Sequence, residues 1–162
     1  VTTASDERGR ATVYACLADA DLPWTAPVGR LDQASEGLLL MSNDPQWAAR
    51  ISEPKHAILK RYHVQVDRLV DQVLLDALRA GVTDQGDHLR AAQARVLRLG
   101  QRNAWLEIAL DEGRNRHIRR LVEALGMRCL RLLRVAIGTL DLGELAKGKW
   151  RHLTSAEVAG FN

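Results

Sequence analysis

Four apolar residues in a row, Leu38-Leu39-Leu40-Met41, stand between Gly37 on one side and Ser42-Asn43-Asp44 on the other. A run that short, closed by turn residues at both ends, reads as a buried strand rather than a helix. Immediately before it lies a glycine-bounded turn that begins at Val28 and places Arg30 two positions from Asp32. With the strand buried behind it, such a turn is anchored by the core, and its carboxylate is positioned by the scaffold, as folds commonly present a reactive group. An Asp among turn residues also serves as a cap or a local backbone acceptor, so the turn alone leaves both readings open.

The rest of the chain mixes strand and helix signals without strict alternation. Val1 to Thr3 reads as a strand end and Ala4 to Gly9 as a polar loop, after which Thr12 caps a short helix that turns Val13, Cys16 and Leu17 inward. Residues 18 to 27 form a polar, Pro-containing connection into the turn. Asp44-Pro45 opens a helix carrying Trp47, Ala48 and Ile51, with the N-cap acid and first-position proline typical of a helix start, and Ser52 to Ala57 closes it. Ile58 to Val66 tends toward alternation, the mark of a half-buried strand. Asp71 to Ala80 returns to helical spacing, with Val73, Leu74, Ala77 and Leu78 along one side, and stops at Gly81. A turn at 82 to 87 precedes strands at His88 to Leu99 and Ala104 to Leu110. A helix opening near Asn115 then carries Ile118, Leu121, Val122 and Leu125 on one face and ends at Gly126. Short strands around Cys129 to Arg134, Ala136 to Leu140 and Trp150 to Leu153 complete the pattern. The expectation is an α+β fold, an antiparallel sheet with helices packed against it, and not a doubly wound parallel sheet.

At 162 residues and 46% hydrophobic content the chain suits one packed domain. No apolar run approaches the ~18 residues of a membrane span, and no signal peptide precedes the fold, so the protein reads as soluble and cytoplasmic. Cys16 and Cys129 are isolated, and His56, His63, His88, His117 and His152 show no metal-ligand spacing, so neither a disulfide framework nor a metal site is expected. The net charge of +3 is modest. Its distribution is more telling: Arg114, Arg116, Arg119 and Arg120 cluster, followed by Arg128, Arg131 and Arg134, as on a surface that tracks phosphates or on a solvated basic face.

The helix near Asn115 carries its arginines at the end where the helix dipole disfavours cations by a few tenths of a kcal/mol or more each. Two explanations fit. Either these side chains pair with Asp111, Glu112 and Glu123, or an anion is placed against them, for which guanidinium forks and backbone N–H groups are well suited.

Three stretches in order, GRLDQASEGLLL from Gly29, KRYHVQV from Lys60 and EGRNRHIRRLVEALG from Glu112, resemble the motifs of the pseudouridine synthases, in the branch that modifies ribosomal RNA. The closing LLRVAIGTLDLGELAKGKWRHLT, from Leu132, is similar to the last strands of that family. The resemblance covers Thr3 to Thr154 and implies the family's fold, a mainly antiparallel mixed sheet flanked by helices with a catalytic cleft across it. It implies Asp32 as the essential aspartate and Arg119 as the arginine that pairs with it. Such a pair would keep the carboxylate ionised in an apolar pocket. It also implies Tyr62 against the target uracil, where stacking is worth about 1–3 kcal/mol. Arg30 would enter the RNA stack in place of the flipped nucleotide, since a stacked base hides its glycosidic bond. Lys60, Arg114, Arg116 and Arg120 are expected on the RNA. Leu133 and Ile137 are expected in the core, Lys147, Lys149 and Arg151 are candidates for phosphates, and Glu36 is assigned to the structure of the turn. His117 departs from the glutamine usual in relatives.

The implied reaction is isomerisation of one uridine of ribosomal RNA, without cofactor or metal, with Asp32 acting at C1′ as a nucleophile or on the 2′ proton through a glycal; both routes stay open. Within the branch, the SDERGRATV opening is most similar to the large-subunit synthases of type E, which act on 23S rRNA. The expected partner is rRNA or a ribosomal subunit precursor, met by a monomer. Relatives generally carry a Lys-Pro-containing strand just before this chain's start, so a missing first strand or an additional N-terminal RNA-binding domain stays open. Two competing classes are a non-catalytic rRNA-binding assembly protein on the same fold and a metal-dependent nucleotide hydrolase.

Overall fold

The computed structural model describes residues 11–162, so the strand end and polar loop expected at Val1 to Gly9 lie outside the described residues. In chain order the strands and helices are β1 (Ala26–Val28), β2 (Glu36–Gly37), β3 (Leu40–Ser42), α1 (Pro45–Ser52), β4 (Lys60–Val66), α2 (Gln72–Ala80), β5 (Val82–Asp84), β6 (Asp87–Leu89), β7 (Gln93–Leu99), β8 (Ala104–Leu110), α3 (His117–Ala124), β9 (Cys129–Ile137), β10 (Leu140–Asp141) and α4 (Ser155–Ala159). The main sheet runs β10-β9-β4-β8-β7, antiparallel throughout, and β2 adds to β9 in parallel. β1 and β3 pair separately, Val28 opposite Leu40. This is the α+β architecture expected, and among the described residues no helix is long and apolar enough to cross a membrane.

Local chemistry explains the helix starts. The Asp44 carboxylate accepts the N–H groups of Gln46 and Trp47 at 3.0 and 3.2 Å, with Pro45 in the first helical position where no N–H is missed. Asp71 caps α2 by accepting from Leu74 at 3.0 Å. α4, which the sequence analysis did not anticipate, starts on a reciprocal box in which Thr154 and Glu157 each bond the other's backbone N–H.

Several expectations require correction. Val13–Leu17 is a 3-10 turn that buries nothing, and Cys16 is exposed. On α2 the buried residues are Leu75 and Leu78, whereas Val73 is 75% exposed, because the sheet meets the helix one residue further round. The turn at 82 to 87 is the centre of a hairpin, β5 with β6, whose Gln85 and Gly86 both have positive φ as a tight hairpin turn requires. The long strand expected from His88 is therefore two strands, β6 and β7. At the C-terminal end the reverse holds: Cys129–Ile137 is one nine-residue strand, and Trp150 to Leu153 is irregular.

Two apolar cores flank the sheet's centre. One joins α2 and α3 to Val64, Val66, Leu106, Ile108 and Leu132. The other gathers Val28, Leu38, Leu40, Trp47, Ile51, Ile137, Leu140 and Phe161. The expected core residue Ile137 is buried there, while on β9 it is Leu132 that is buried and Leu133 that is only partly buried. Where the two cores meet, residues of both line a single cleft.

Candidate active site

Asp32 is placed by a β-turn in which the Ser35 N–H donates to the Asp32 carbonyl at 2.9 Å, with Asp at a position that turns favour. The turn is tied to the fold at both of its ends by buried arginines. On one side Arg119 of α3 donates through Nη2 to the Ala34 carbonyl at 2.9 Å. On the other, Arg134 of β9 donates through Nε to the Leu38 carbonyl at 2.8 Å, while its own carbonyl accepts the Leu38 N–H at 2.8 Å. Gly37 lies between, at φ 110° against Arg134, so close that a Cβ there would stand 2.2 Å from the Arg134 carbonyl oxygen. The run Leu38 to Leu40 then enters the second core, which is the anchor the sequence called for.

Asp32 opens on a cleft of about 400 Å³ that Arg30, Lys60, Tyr62, Arg114 and Arg116 also line. The fold thus brings together six of the eight residues singled out from the sequence. Arg119 and Arg120 stand outside that lining. The ion pair expected between Arg119 and Asp32 is not formed. Among the described residues the ion partner of Asp32 is Arg30, at 3.7 Å, a loose contact at the solvent edge since Arg30 is 73% exposed. Arg119 is instead drawn beneath the turn by the Ala34 carbonyl, where it positions the aspartate through backbone.

Arg120 is also corrected. Its Nε bonds Asp84 at 2.7 Å and its Nη2 bonds Asp87 at 3.0 Å, so the β5–β6 hairpin supplies the anions that its place in the first turn of α3 requires. Pairing with carboxylates was one of the two explanations for the arginine cluster. For Arg120 it is the right one, but with acids some 30 residues away in the chain rather than the neighbouring ones. α3 itself starts at His117, with Arg116 in a left-handed conformation just before it, so Arg114 and Arg116 project from a loop and are exposed, Arg114 making only a loose 3.8 Å contact with Asp87. Lys147 bonds Glu36 at 3.1 Å and Arg151 bonds Glu157 at 2.8 Å, so both have carboxylate partners within the protein. Glu36, gripped by Arg131 and Lys147, has its carboxyl held below the usual range, in keeping with a structural part in the turn.

Arg134 was missed as a site residue. It is 4% exposed, lines the cleft and leaves Nη2 without a hydrogen-bond partner among the described residues. An arginine in an apolar strand ordinarily reads as a surface position. Its sequence signals were its place in the C-terminal stretch and in the basic run with Arg128 and Arg131, which read as a surface and not as a buried site. Lys60 lies beside it, its ammonium pushed below the usual lysine pKa by burial and by the Arg134 charge.

His117 locks the loop before α3. It is 4% exposed, its Nε2–H donates to the Arg90 carbonyl at 2.9 Å, and Nδ1 accepts the Arg114 N–H at 3.4 Å, which is the neutral tautomer. Burial lowers its pKa from 6.5. As pH falls below that value the unfolded chain takes up a proton that folded His117 resists, so stability present at neutral pH is lost on acidification. We expect His117→Gln, which keeps a neutral planar donor, to flatten this acid limb of stability measured by denaturant unfolding across a pH series. An equally steep limb in the variant would assign the loss to other groups.

Comparison with known proteins identifies the family. Residues 5–124 match the family model for RNA pseudouridylate synthase. The chain is 38% identical over 152 residues to an uncharacterized RNA pseudouridine synthase of Aquifex aeolicus, covering 93% of this chain and 60% of that one. It is 39% identical over 144 residues to the ribosomal large subunit pseudouridine synthase E of Xanthomonas campestris, covering 80% and 77%. A crystal structure of a pseudouridylate synthase superposes with a TM-score of 0.79 at 30% identity, covering 93% of this chain and 65% of that chain. The chain therefore spans about 60% of the length of the Aquifex relative.

Proposed function

Because this chain belongs to the RNA pseudouridine synthase family, we propose that it isomerises a uridine of ribosomal RNA, in the 23S molecule, to pseudouridine. The observation that carries the reading is the convergence of Asp32 and Tyr62 on one cleft. A target nucleotide leaves the RNA stack, Arg30 at the exposed lip fills the gap it leaves, and its base lies on the Tyr62 ring while Asp32 faces the sugar. The N1–C1′ bond breaks, the base turns over in the cleft, and C5 bonds to C1′, with loss of the C5 proton matched by protonation of N1. Asp32 acts either by bonding C1′ or by taking the 2′ proton.

Binding is supplied at the rim. Arg114 and Arg116 project from the loop before α3 as exposed cations suited to phosphates, which position RNA without reading its sequence. Lys60 belongs deeper in the cleft than the rim pair. The protein works as a monomer in the cytoplasm, on rRNA or a subunit precursor.

The test is tritium release. 23S and 16S transcripts carrying [5-³H]uridine, free or in subunit particles, are incubated with the protein. Release from 23S in stoichiometric amount to one site is the expected result. Tight RNA binding with no release from any substrate would instead favour a role in ribosome assembly.

A further inference from the structure

The cleft holds two cations that the reaction scheme above does not use. Arg134 spends Nε on the Leu38 carbonyl and leaves Nη2 buried with no partner among the described residues. Leaving a charged donor unpaired in an interior is costly, and one that lines an open cleft is placed to meet a partner arriving from outside. On the adjacent strand Lys60 has a single weak contact, 3.5 Å to the Ile58 carbonyl, and no carboxylate partner among the described residues. Both line the cleft.

What reaches them follows from the register. Tyr62 and Arg134 are cross-strand partners on β4 and β9, so their side chains share one face of the sheet. A group lying on the Tyr62 ring is therefore the group that meets Arg134. The exposed Arg114 and Arg116 are left for the phosphates. Building on the isomerase reading, we infer that Arg134 and Lys60 together grip a carbonyl oxygen of the target uracil and stabilise the negative charge the base acquires when it is detached.

The electron count supports this under either route. If the Asp32 carboxylate bonds C1′, the pair of the N1–C1′ bond departs with the base. If Asp32 takes the 2′ proton, the C2′–H pair forms the C1′–C2′ double bond, and the N1–C1′ pair again departs with the base. Both leave a uracil anion whose charge is shared by its nitrogens and carbonyl oxygens. Fixed donors aimed at those oxygens act on charge that develops during the reaction, the situation in which such donors contribute most. The charge is discharged when C5 bonds C1′. In the first route the Asp32–C1′ bond breaks and its pair returns to the carboxylate; in the second C2′ regains the proton that Asp32 took. Loss of the C5 proton to solvent is then matched by protonation of N1.

Arg134 also anchors Leu38, so replacing it risks unfolding; Lys60 gives the decisive variant. In single-turnover tritium release on the 23S transcript, Lys60→Met should lower the saturating rate by about 10²-fold while leaving RNA affinity and its salt dependence unchanged. Lys60→Arg should recover most of the loss, which a merely structural role would not produce. A rise in Kd with a salt slope reduced by about one would place a phosphate there and overturn the inference. So would an unaffected rate in a wild-type-active preparation, and that result would leave the isomerase reading standing. No release by wild-type protein from any rRNA would bring down both.

Discussion

Asp32→Asn should release no tritium from [5-³H]uridine rRNA above background, a loss of about 10⁴-fold or more, with RNA affinity held within about three-fold. The side chain is replaced by one of the same shape, and the turn that carries it is fixed through backbone: by Arg119 on the Ala34 carbonyl and Arg134 on Leu38. The geometry of the cleft is thus expected to survive while the group able to bond C1′ or accept a proton is lost. Filter binding at several salt concentrations supplies the affinity arm. Turnover within ten-fold of wild type would remove Asp32 from the chemistry.

Gly37→Ala should be the most damaging single methyl among the described glycines. The residue sits at φ 110°, which an L side chain rarely adopts, and the added Cβ would stand 2.2 Å from the Arg134 carbonyl oxygen and 2.6 Å from its nitrogen. Those are backbone atoms of a central strand, so they have little freedom to yield. Overpacking and backbone strain together give about 3 kcal/mol or more, or a Tm lower by about 6–12 °C for a domain of this size. Because β2 pairs with β9 only through Glu36 and Gly37, activity should fall beyond what the residual folded fraction explains. Gly29→Ala is the matched comparison: φ is also positive, at 73°, but nothing lies within 4 Å of the added atom. Equal melting temperatures for the two variants would show that the close approach of β2 to β9 is not a constraint.

Where local signals were self-contained, reading them was enough. Asp44-Pro45 announced α1 because the cap and the proline act within one turn. β8 was legible to the residue, since Leu106, Ile108 and Leu110 alternate against a single core. Tyr62 and Asp32 were legible as site residues only through the motifs around them; their meeting in one cleft needed the fold. The errors share a cause. β9 was read as two strands, Cys129 to Arg134 and Ala136 to Leu140, and what holds its middle in place is a carbonyl on Leu38, 96 positions from Arg134 in the chain. Arg120 was read as facing RNA because Asp84 and Asp87 lie on a hairpin that sequence spacing does not place beside α3.

The amino-acid order alone decided the class of fold and the starts of α1 and α2, since capping and alternation act over a few residues, while the resemblance of its motif singled out Asp32. Folding decided which cations are free. An arginine's charge is known from its name, but whether that charge meets a carboxylate, a carbonyl or open space depends on chain segments brought together from far apart. Arg119, Arg120 and Arg134 therefore took roles under the turn, on the hairpin and at the cleft floor that no neighbouring residue foretold.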